Sequence, residues 1–537
     1  MIATIDRMLG RVTMYRLVLL CLAALALVGI LLTAVGRVGA LPAGPLASGL
    51  LPLAVLVSGA VLVGWSVLAN LLLASVFRVP AHHESAVVTG LILLFLLSPT
   101  LDPASLSVDA FAATLAVASK FAIAPHGRHL LNPAAFGAFA VYSLGLQSTI
   151  WWVGTPGMLP FVVVLGALVL ARTRRFLLVG VFLAAALAFR VLVAAATGIG
   201  PLDALRFALL SSPILFLGCF MLTEPLTLPP RRGQQLAVAV AVAGLLVVPF
   251  SLSGPEWGIL HLQLTSAPEL ALLLGNVLAF VLARRRGLRL EYRSRRQLTP
   301  TSWEFEFTPS RSVAFRPGQY LELTLPHRRA DSRGTRRTFS IASAPSIRTD
   351  PIRTDSIRTD EQAAAIRVGM RMPDGRRSSF KTALDALEPG GVVAANTIAG
   401  DFLLPRDPAV PVLLVAGGIG ITPFISQLSH ATASRTPRDT VLVYATSSTD
   451  ELAYATELQR SGARVLVVAP EPLPRMPEHW SWIGAGPLTA ELLLAAVPDA
   501  RSRAAYLSGP PALIAELRPA LRRAGVRRIR TDAFLGY

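Results

Sequence analysis

Val412-Leu-Leu-Val-Ala-Gly-Gly-Ile-Gly-Ile-Thr-Pro423 decides the fold of the C-terminal part of this chain. An apolar strand, Val412–Ala416, runs into a cluster of glycines, and Thr-Pro then opens a helix. A bare Gly-x-Gly pattern is weak, but strand, glycine loop and helix in that order is the context a dinucleotide site demands. Glycines let the backbone approach a pyrophosphate, and the helix N-terminus supplies amide donors. Gly417, Gly418, Gly420, Thr422 and Pro423 are therefore candidate nucleotide-binding residues. A second strand, Thr440–Ala445, precedes Thr446-Ser-Ser-Thr-Asp450, and a third strand region, Ala505–Leu507, ends in Ser508-Gly-Pro-Pro511. These features predict an α/β Rossmann-like domain over residues 408–537.

Upstream, after Gly287, the pattern is one of short alternating strands such as Leu288–Tyr292 and Ser302–Phe307. The turn signal Arg316-Pro-Gly-Gln-Tyr320 feeds another strand, Tyr320–Leu325. Arg337-Thr-Phe-Ser-Ile-Ala-Ser343 follows, and alternation sets Arg337, Phe339 and Ile341 on one side of a strand and Ser340 on the other. This string resembles the flavin motif of the ferredoxin–NADP reductase superfamily, Arg-x-aromatic-Ser-x-x-Ser. The resemblance implies an antiparallel β-barrel FAD domain over 288–407. It implies that Arg337 binds the flavin diphosphate, that Phe339 packs on the isoalloxazine, and that Ser340 bonds near its reactive nitrogen, with Ser343 closing the motif. It makes Gly375-Arg-Arg-Ser-Ser-Phe-Lys381, ahead of a short helix Thr382–Leu387, the second phosphate contact through Ser379. The superfamily usually has Cys where Ser508 stands before Gly509 and Pro510, so Ser508 is the implied group near the nicotinamide. At Asp532-Ala-Phe-Leu-Gly-Tyr537, either Phe534 or Tyr537 is implied to cover the flavin face.

The N-terminal half has a different character. Of 537 residues 53% are hydrophobic and 15% charged, and the apolar runs concentrate before Ala283. The mean hydropathy of +0.56 is too apolar for an ordinary soluble protein. Ten candidate spans are expected near residues 17–35, 51–75, 86–101, 108–124, 134–150, 158–171, 176–197, 205–222, 235–251 and 268–283, forming a polytopic α-helical membrane bundle over 1–287. Alternate connections carry Arg7/Arg11/Arg16, Arg78, Lys120/Arg128, Arg172/Arg174/Arg175, Arg231/Arg232 and Arg284/Arg285/Arg286. By the positive-inside rule this sets both termini in the cytoplasm of a multi-pass protein of the cell inner (plasma) membrane. An anionic bilayer face and phosphorylated cofactors explain the net charge of +18 more simply than nucleic acid does. Cys21 and Cys219 are too few for an iron–sulfur cluster or a disulfide framework, and no metal site is expected. The repeated Ile-Arg-Thr-Asp segments at 347–360 suggest a solvated insertion.

Within this half, Glu84-Ser-Ala-Val-Val-Thr-Gly90, Ser119-Lys-Phe-Ala-Ile-Ala-Pro-His-Gly-Arg-His-Leu-Leu-Asn-Pro-Ala-Ala-Phe-Gly137 and Phe220-Met-Leu-Thr-Glu-Pro225 stand out. They resemble the flavin-carrying membrane protein family common to the Rnf electron-transport complex and the sodium-pumping NADH:quinone reductase. Asn132-Pro133 is a helix-start signal. Lys120, Arg128 and His129 are expected to gather beside that helix end, as a phosphate or an anionic flavin edge would require; positive-inside anchoring explains them equally well. The resemblance implies FMN esterified to a threonine. The family's attachment string is absent, and the nearest candidate is Thr155 in Trp151-Trp-Val-Gly-Thr-Pro156, whose two tryptophans also read as an interfacial aromatic belt. Arg190 and Asn276 interrupt apolar runs; snorkelling of the one and a bond from the other to a neighbouring helix are the plain readings.

Together these readings imply a membrane-bound flavoprotein oxidoreductase. Electrons pass from NADH or NADPH through FAD into the membrane domain, to bound FMN, a quinone or a partner redox protein, with ion transport a possible coupling. Its expected partners are NAD(P)H, that membrane acceptor and the lipid bilayer. Two alternatives are a haem-containing ferric reductase or NAD(P)H oxidase-like protein and a redox-sensing transporter. The first is disfavoured because His82, His83, His126, His129 and His261 fall at span ends or loops rather than in stacked pairs.

Overall fold

The computed structural model describes residues 13–37, 48–77, 79, 81–125, 129–253, 263–283, 287–328, 330–331, 334–345, 365–372, 375, 377–533. The chain divides into two compact units, Met1–Arg284 and Arg285–Tyr537.

The first unit is helical. Among the described residues, four helices are long and apolar enough to cross a bilayer: Met14–Ala34, Leu51–Val76, Pro103–Ala122 and Phe176–Thr197. A fifth crossing is available if Pro201–Leu210 and Ile214–Met221, bent by 58°, count as one span. The expected ten spans are thus not all met by length. His83–Leu96, Leu159–Thr173, Arg232–Val247 and Pro268–Ala283 have 14, 15, 16 and 16 residues, short of the roughly 20 that a ~30 Å hydrocarbon layer asks of a helix. The cause is local. Leu97 turns extended and pairs with Thr149 ahead of Pro99, and Pro133, Pro160, Pro201 and Pro268 all sit in first turns, fixing where helices begin. The tryptophans of Trp151-Trp152 are buried rather than interfacial. The Trp151 indole N–H donates to Glu269 Oε2 at 2.9 Å, and the Trp152 indole N–H donates to the Leu94 carbonyl at 2.6 Å.

The second unit begins with a six-stranded antiparallel sheet: β1 (Leu288–Thr299), β2 (Ser302–Pro309), β3 (Tyr320–Thr324), β4 (Arg336–Ser340), β5 (Ile366–Arg371) and β6 (Val392–Ala399). Their spatial order is β4-β3-β6-β1-β2-β5, and an antiparallel bridge between Ile341 and Val368 joins the two edges into a barrel. Alternate residues such as Leu288, Leu290, Phe305, Phe307, Leu321 and Leu323 fill its interior, the period-2 pattern that a half-buried strand requires.

Six parallel strands follow: β7 (Val412–Gly417), β8 (Thr440–Ala445), β9 (Arg464–Val468), β10 (Trp480–Gly484), β11 (Ala504–Gly509) and β12 (Ile529–Ala533), in the order β10-β9-β8-β7-β11-β12. Every residue of β7 is buried. Val412, Leu414 and Ala416 face one apolar layer, and Leu413 and Val415 the other. That explains the unbroken apolar run of the opening string, since helices cover a parallel sheet on both faces. The chain steps outward from β7 to β10, then returns to add β11 on the other side of β7. The order therefore reverses at β7/β11, where doubly wound sheets bind ligands beyond the strand ends.

Leu414 is fully buried at the centre of this sheet. Leu414→Ala should cost about 2–5 kcal/mol, read as a lowered melting temperature of the purified full-length chain. A cost below about 1 kcal/mol would show that this layer is not close-packed.

Candidate active site

At the β7/β11 reversal two backbone loops meet. Gly418 takes φ +53°, and a Cβ on Gly420 would lie 2.6 Å from the Ser508 carbonyl oxygen. Only glycine lets the loop after β7 pack on the end of β11 in this way. Beside it opens a cavity of about 680 Å³ between barrel and parallel sheet. Gly417, Gly418 and Gly420 line one wall with Thr446, Ser447 and Pro510, while Thr338, Phe339 and Ser340 line the barrel side with Arg371 and Lys381. Two elements whose strings are about 80 residues apart are thus brought to one space, large enough for a drug-sized or larger ligand.

Not every residue singled out in the sequence faces it. Thr422 begins the helix α2 (Thr422–Ala433), after α1 (Ser379–Asp385), but its hydroxyl turns back to the Ile419 carbonyl at 2.5 Å, and Pro423 occupies the first turn. Ser343 ties the barrel to α2: its Oγ accepts the Arg367 N–H at 3.1 Å and its carbonyl accepts the Ser426 hydroxyl at 2.7 Å. Ser508 is fully buried on β11, its Oγ has no hydrogen-bond partner among the described residues, and Gly509 takes φ +150° beside Gly417. Pro510 then begins the turn into α5 (Pro511–Arg523), which follows α3 (Ala455–Arg460) and α4 (Ala490–Ala496). Phe534 and Tyr537 lie outside the described residues.

Arg337 lies behind the cavity wall rather than on it. Its guanidinium donates to both oxygens of Asp331, at 3.0 and 3.3 Å, and to the carbonyls of Gly334 and Arg336. The Ser379 N–H donates to the same Asp331 carboxylate at 3.1 Å, and the Asp331 N–H donates to Ser379 Oγ at 2.9 Å. Arg337 and Ser379 therefore do converge on one anion, and the anion is a carboxylate of the protein. A guanidinium and a backbone amide that share a carboxylate are also donor types that a diphosphate accepts. The helix there starts at Ser379, capped by Ser378, rather than at Thr382. Phe339 and Arg337 both pack on Phe380, with ring centroids 5.8 Å apart in the first case and the guanidinium 5.5 Å from the ring in the second.

One participant went unrecognised in the sequence. Asp532 lines the cavity and accepts a long, 3.4 Å hydrogen bond from the Ser340 hydroxyl. Burial pushes its carboxyl up to about 6, the Ser340 bond opposes that, and the charge of Asp401 adds to it. The only signal in the sequence was an acid on the terminal strand two residues before Phe534. Its pairing in register with Ser508 is a tertiary fact.

In the first unit, Asn132 caps its helix through Oδ1 to the Ala135 N–H at 3.1 Å, as its Asn-Pro signal predicts. The anion expected beside it is again supplied internally. Glu224 lies 2.6 Å from His129 Nε2 and accepts from Asn132 Nδ2 at 3.0 Å, while Lys120 donates to the Ser85 carbonyl and hydroxyl. Arg128 lies outside the described residues. Asn276 accepts the Asn132 N–H at 2.7 Å, a bond between helices, and the Arg190 guanidinium lies 5.2 Å from the Phe207 ring centroid. Thr155 Oγ1 is buried and the cavity it lines holds about 10 Å³, so the residues there do not fit an attached flavin.

Residues 414–518 match the family model described as an oxidoreductase NAD-binding domain. Relatives include a Bacillus cereus flavohemoprotein, 25% identical over 220 residues (40% of this chain, 51% of the relative). A glycine betaine monooxygenase reductase subunit of Chromohalobacter salexigens is 26% identical over 200 residues (36% and 49%). The reductase subunit of an Amycolatopsis aromatic O-demethylase is 27% identical over 233 residues (41% and 61%). The chain spans about half the length of the first two. An Amycolatopsis cytochrome P450 reductase aligns over 47% of this chain and 70% of its own at 24% identity, with a TM-score of 0.38, too low to bear on the assignment. Over residues 414–518 the second unit is thus similar to an oxidoreductase NAD-binding domain, and its relatives are flavohemoproteins and reductase subunits of oxygenase systems.

Because the folded state raises the Asp532 carboxyl from 3.8 to about 6, it binds more protons there than the unfolded chain, and this group's contribution to stability falls as pH rises through that window. Asp532→Asn should therefore melt higher than the wild type well above pH 6, by on the order of 3 kcal/mol, with the difference vanishing near pH 4. Parallel melting curves across the whole range would contradict this protonation.

Proposed function

We propose that the chain is a membrane-bound flavoprotein oxidoreductase that takes electrons from NAD(P)H in its C-terminal unit and delivers them to an acceptor served by its helical unit. The shared cavity carries this reading, because it brings the flavin motif and the glycine loop to one space. FAD, when bound, accepts two electrons from the nicotinamide and releases them singly. The chain's own residues supply position. Gly417–Gly420 bring backbone to the nucleotide pyrophosphate, Arg337 and the Ser379 amide hold the flavin diphosphate in place of Asp331, and Phe339 packs beside the ring system. Ser340 Oγ and Asp532 Oδ2 share a proton on the cavity wall, and Ser508, buried at the end of β11, backs the glycine loop.

A membrane setting for the first unit is supported by its four long apolar helices and by outward-facing side chains such as Leu27, Leu31, Leu72, Val164, Leu177 and Leu192, each more than half exposed. In this reading residues 1–287 form the membrane domain, 288–407 the FAD barrel and 408–537 the nucleotide domain, with both termini cytoplasmic at the inner (plasma) membrane. The strings around Lys120, Asn132 and Glu224 support an Rnf- or sodium-pump-like origin for the first of these, with a quinone, a non-covalent flavin or a partner redox protein as acceptor and ion coupling as its corollary. A second reading, favoured by relatives that are monooxygenase and demethylase reductase subunits, is delivery to a separate oxygenase-type partner.

Two outcomes are expected. Denaturing the purified protein should release FAD, with no flavin left attached to the chain; covalent flavin would refute the reading of Thr155. Arg337→Ala and Phe339→Ala should each reduce bound FAD and NAD(P)H oxidation with an artificial acceptor at least about ten-fold, a loss of 1.4 kcal/mol or more. Unchanged oxidation in both variants would remove the proposed site.

A further inference from the structure

We propose that this site selects NADH over NADPH, and that the turn after β8, through Ser447 and Glu451, makes the choice. The inference rests on the nucleotide occupying the cavity described above. β8 lies beside β7 with Ala445 opposite Gly417, so Thr446–Glu451 leaves the sheet alongside the glycine loop. In a doubly wound sheet the pyrophosphate sits on that loop, and the adenosine ribose meets the end of the neighbouring strand.

The chemistry of that turn suits a hydroxyl. The Thr446 N–H is fixed on the Val468 carbonyl at 2.9 Å, while its buried Oγ1 has no hydrogen-bond partner among the described residues. Ser447 lines the cavity with a side chain too short and too neutral to balance a phosphate. Glu451 lines it as well, and its Oε2 is held by the hydroxyls of Thr299 and Thr301, both at 2.8 Å. Residues 440–459 contain no Lys or Arg but three acids, Asp450, Glu451 and Glu457.

Cations on the facing wall do not reverse this. Arg371 Nε donates to Thr301 Oγ1 at 3.2 Å, the hydroxyl that itself donates to Glu451, so this guanidinium is tied through Thr301 to the acid on the turn. Lys381 Nζ donates to the Arg371 carbonyl at 2.7 Å, and Arg460 is exposed at the end of α3 and does not line the cavity. A 2′-phosphate would bring close to two negative charges against Glu451, and the turn itself offers no guanidinium fork to receive it. A 2′-hydroxyl donates to the carboxylate or pairs with Thr446 instead.

The test is anaerobic bleaching of the flavin in the full-length, FAD-loaded protein, mixed with NADH or with NADPH over a concentration series. NADH should give a second-order rate constant at least about ten-fold higher. Ser447→Arg should narrow that ratio, and Glu451→Gln should narrow it less. Calorimetric affinities for NAD+ and NADP+ should show the same ordering without turnover. Equal or faster bleaching by NADPH in the wild type, or an unchanged ratio in Ser447→Arg with its FAD content intact, overturns the proposal. Bleaching by neither nucleotide overturns it together with the reading of the site on which it rests.

Discussion

Everything in the reductase unit depends on one close approach of backbone to backbone. The loop after β7 lies on the end of β11 so tightly that a Cβ at Gly420 would lie 2.6 Å from the Ser508 carbonyl oxygen. This contact closes the sheet where its strand order reverses and leaves the cavity open beside it. A side chain at Gly420 would force the strand ends apart and move Ser508, Gly509 and Pro510 with them. Asp532, paired in register with Ser508 on β12, depends on the same contact for its reach to Ser340. The glycines thus do structural work before any nucleotide arrives, and their chemistry toward a pyrophosphate follows from the geometry they permit.

Both units show a common electrostatic device. Where the sequence presents donors that an external anion would use, the fold supplies a carboxylate of its own. Asp331 satisfies Arg337 and the Ser379 amide in the barrel, and Glu224 satisfies His129 and Asn132 in the helical unit. The physical cause is the cost of leaving a buried guanidinium or amide without an acceptor. A ligand phosphate, if it entered at Arg337, would have to displace the Asp331 carboxylate. The helical unit presents no such exchange at Thr155, where the adjoining space is of water size.

The parallel sheet was legible because its signals are local: a buried apolar run, glycines and Thr-Pro in order. The barrel was legible through alternation, as at Leu321 and Leu323. Side-chain direction was less so. Ser343 and Thr422 belong to the recognised motifs, yet their hydroxyls serve Arg367 and Ile419, a choice made by neighbours distant in sequence or by the turn itself. Asp532 was missed for the same reason, since only sheet register brings it to Ser340. In the N-terminal unit, apolar runs overstate the number of full spans, because hydropathy counts residues and not where prolines begin and end helices. Trp151 and Trp152 read as interfacial from their sequence position, but Glu269 and the Leu94 carbonyl hold them inside.

The central claim is that the cavity joins a nicotinamide donor to a bound flavin in one reductase unit. Its most direct test is an anaerobic titration of the purified full-length protein with reduced nicotinamide, followed at the flavin absorbance band. The account predicts complete bleaching at one equivalent of nucleotide per FAD. A flavin that stays oxidised at excess nucleotide, while FAD remains bound, would contradict it.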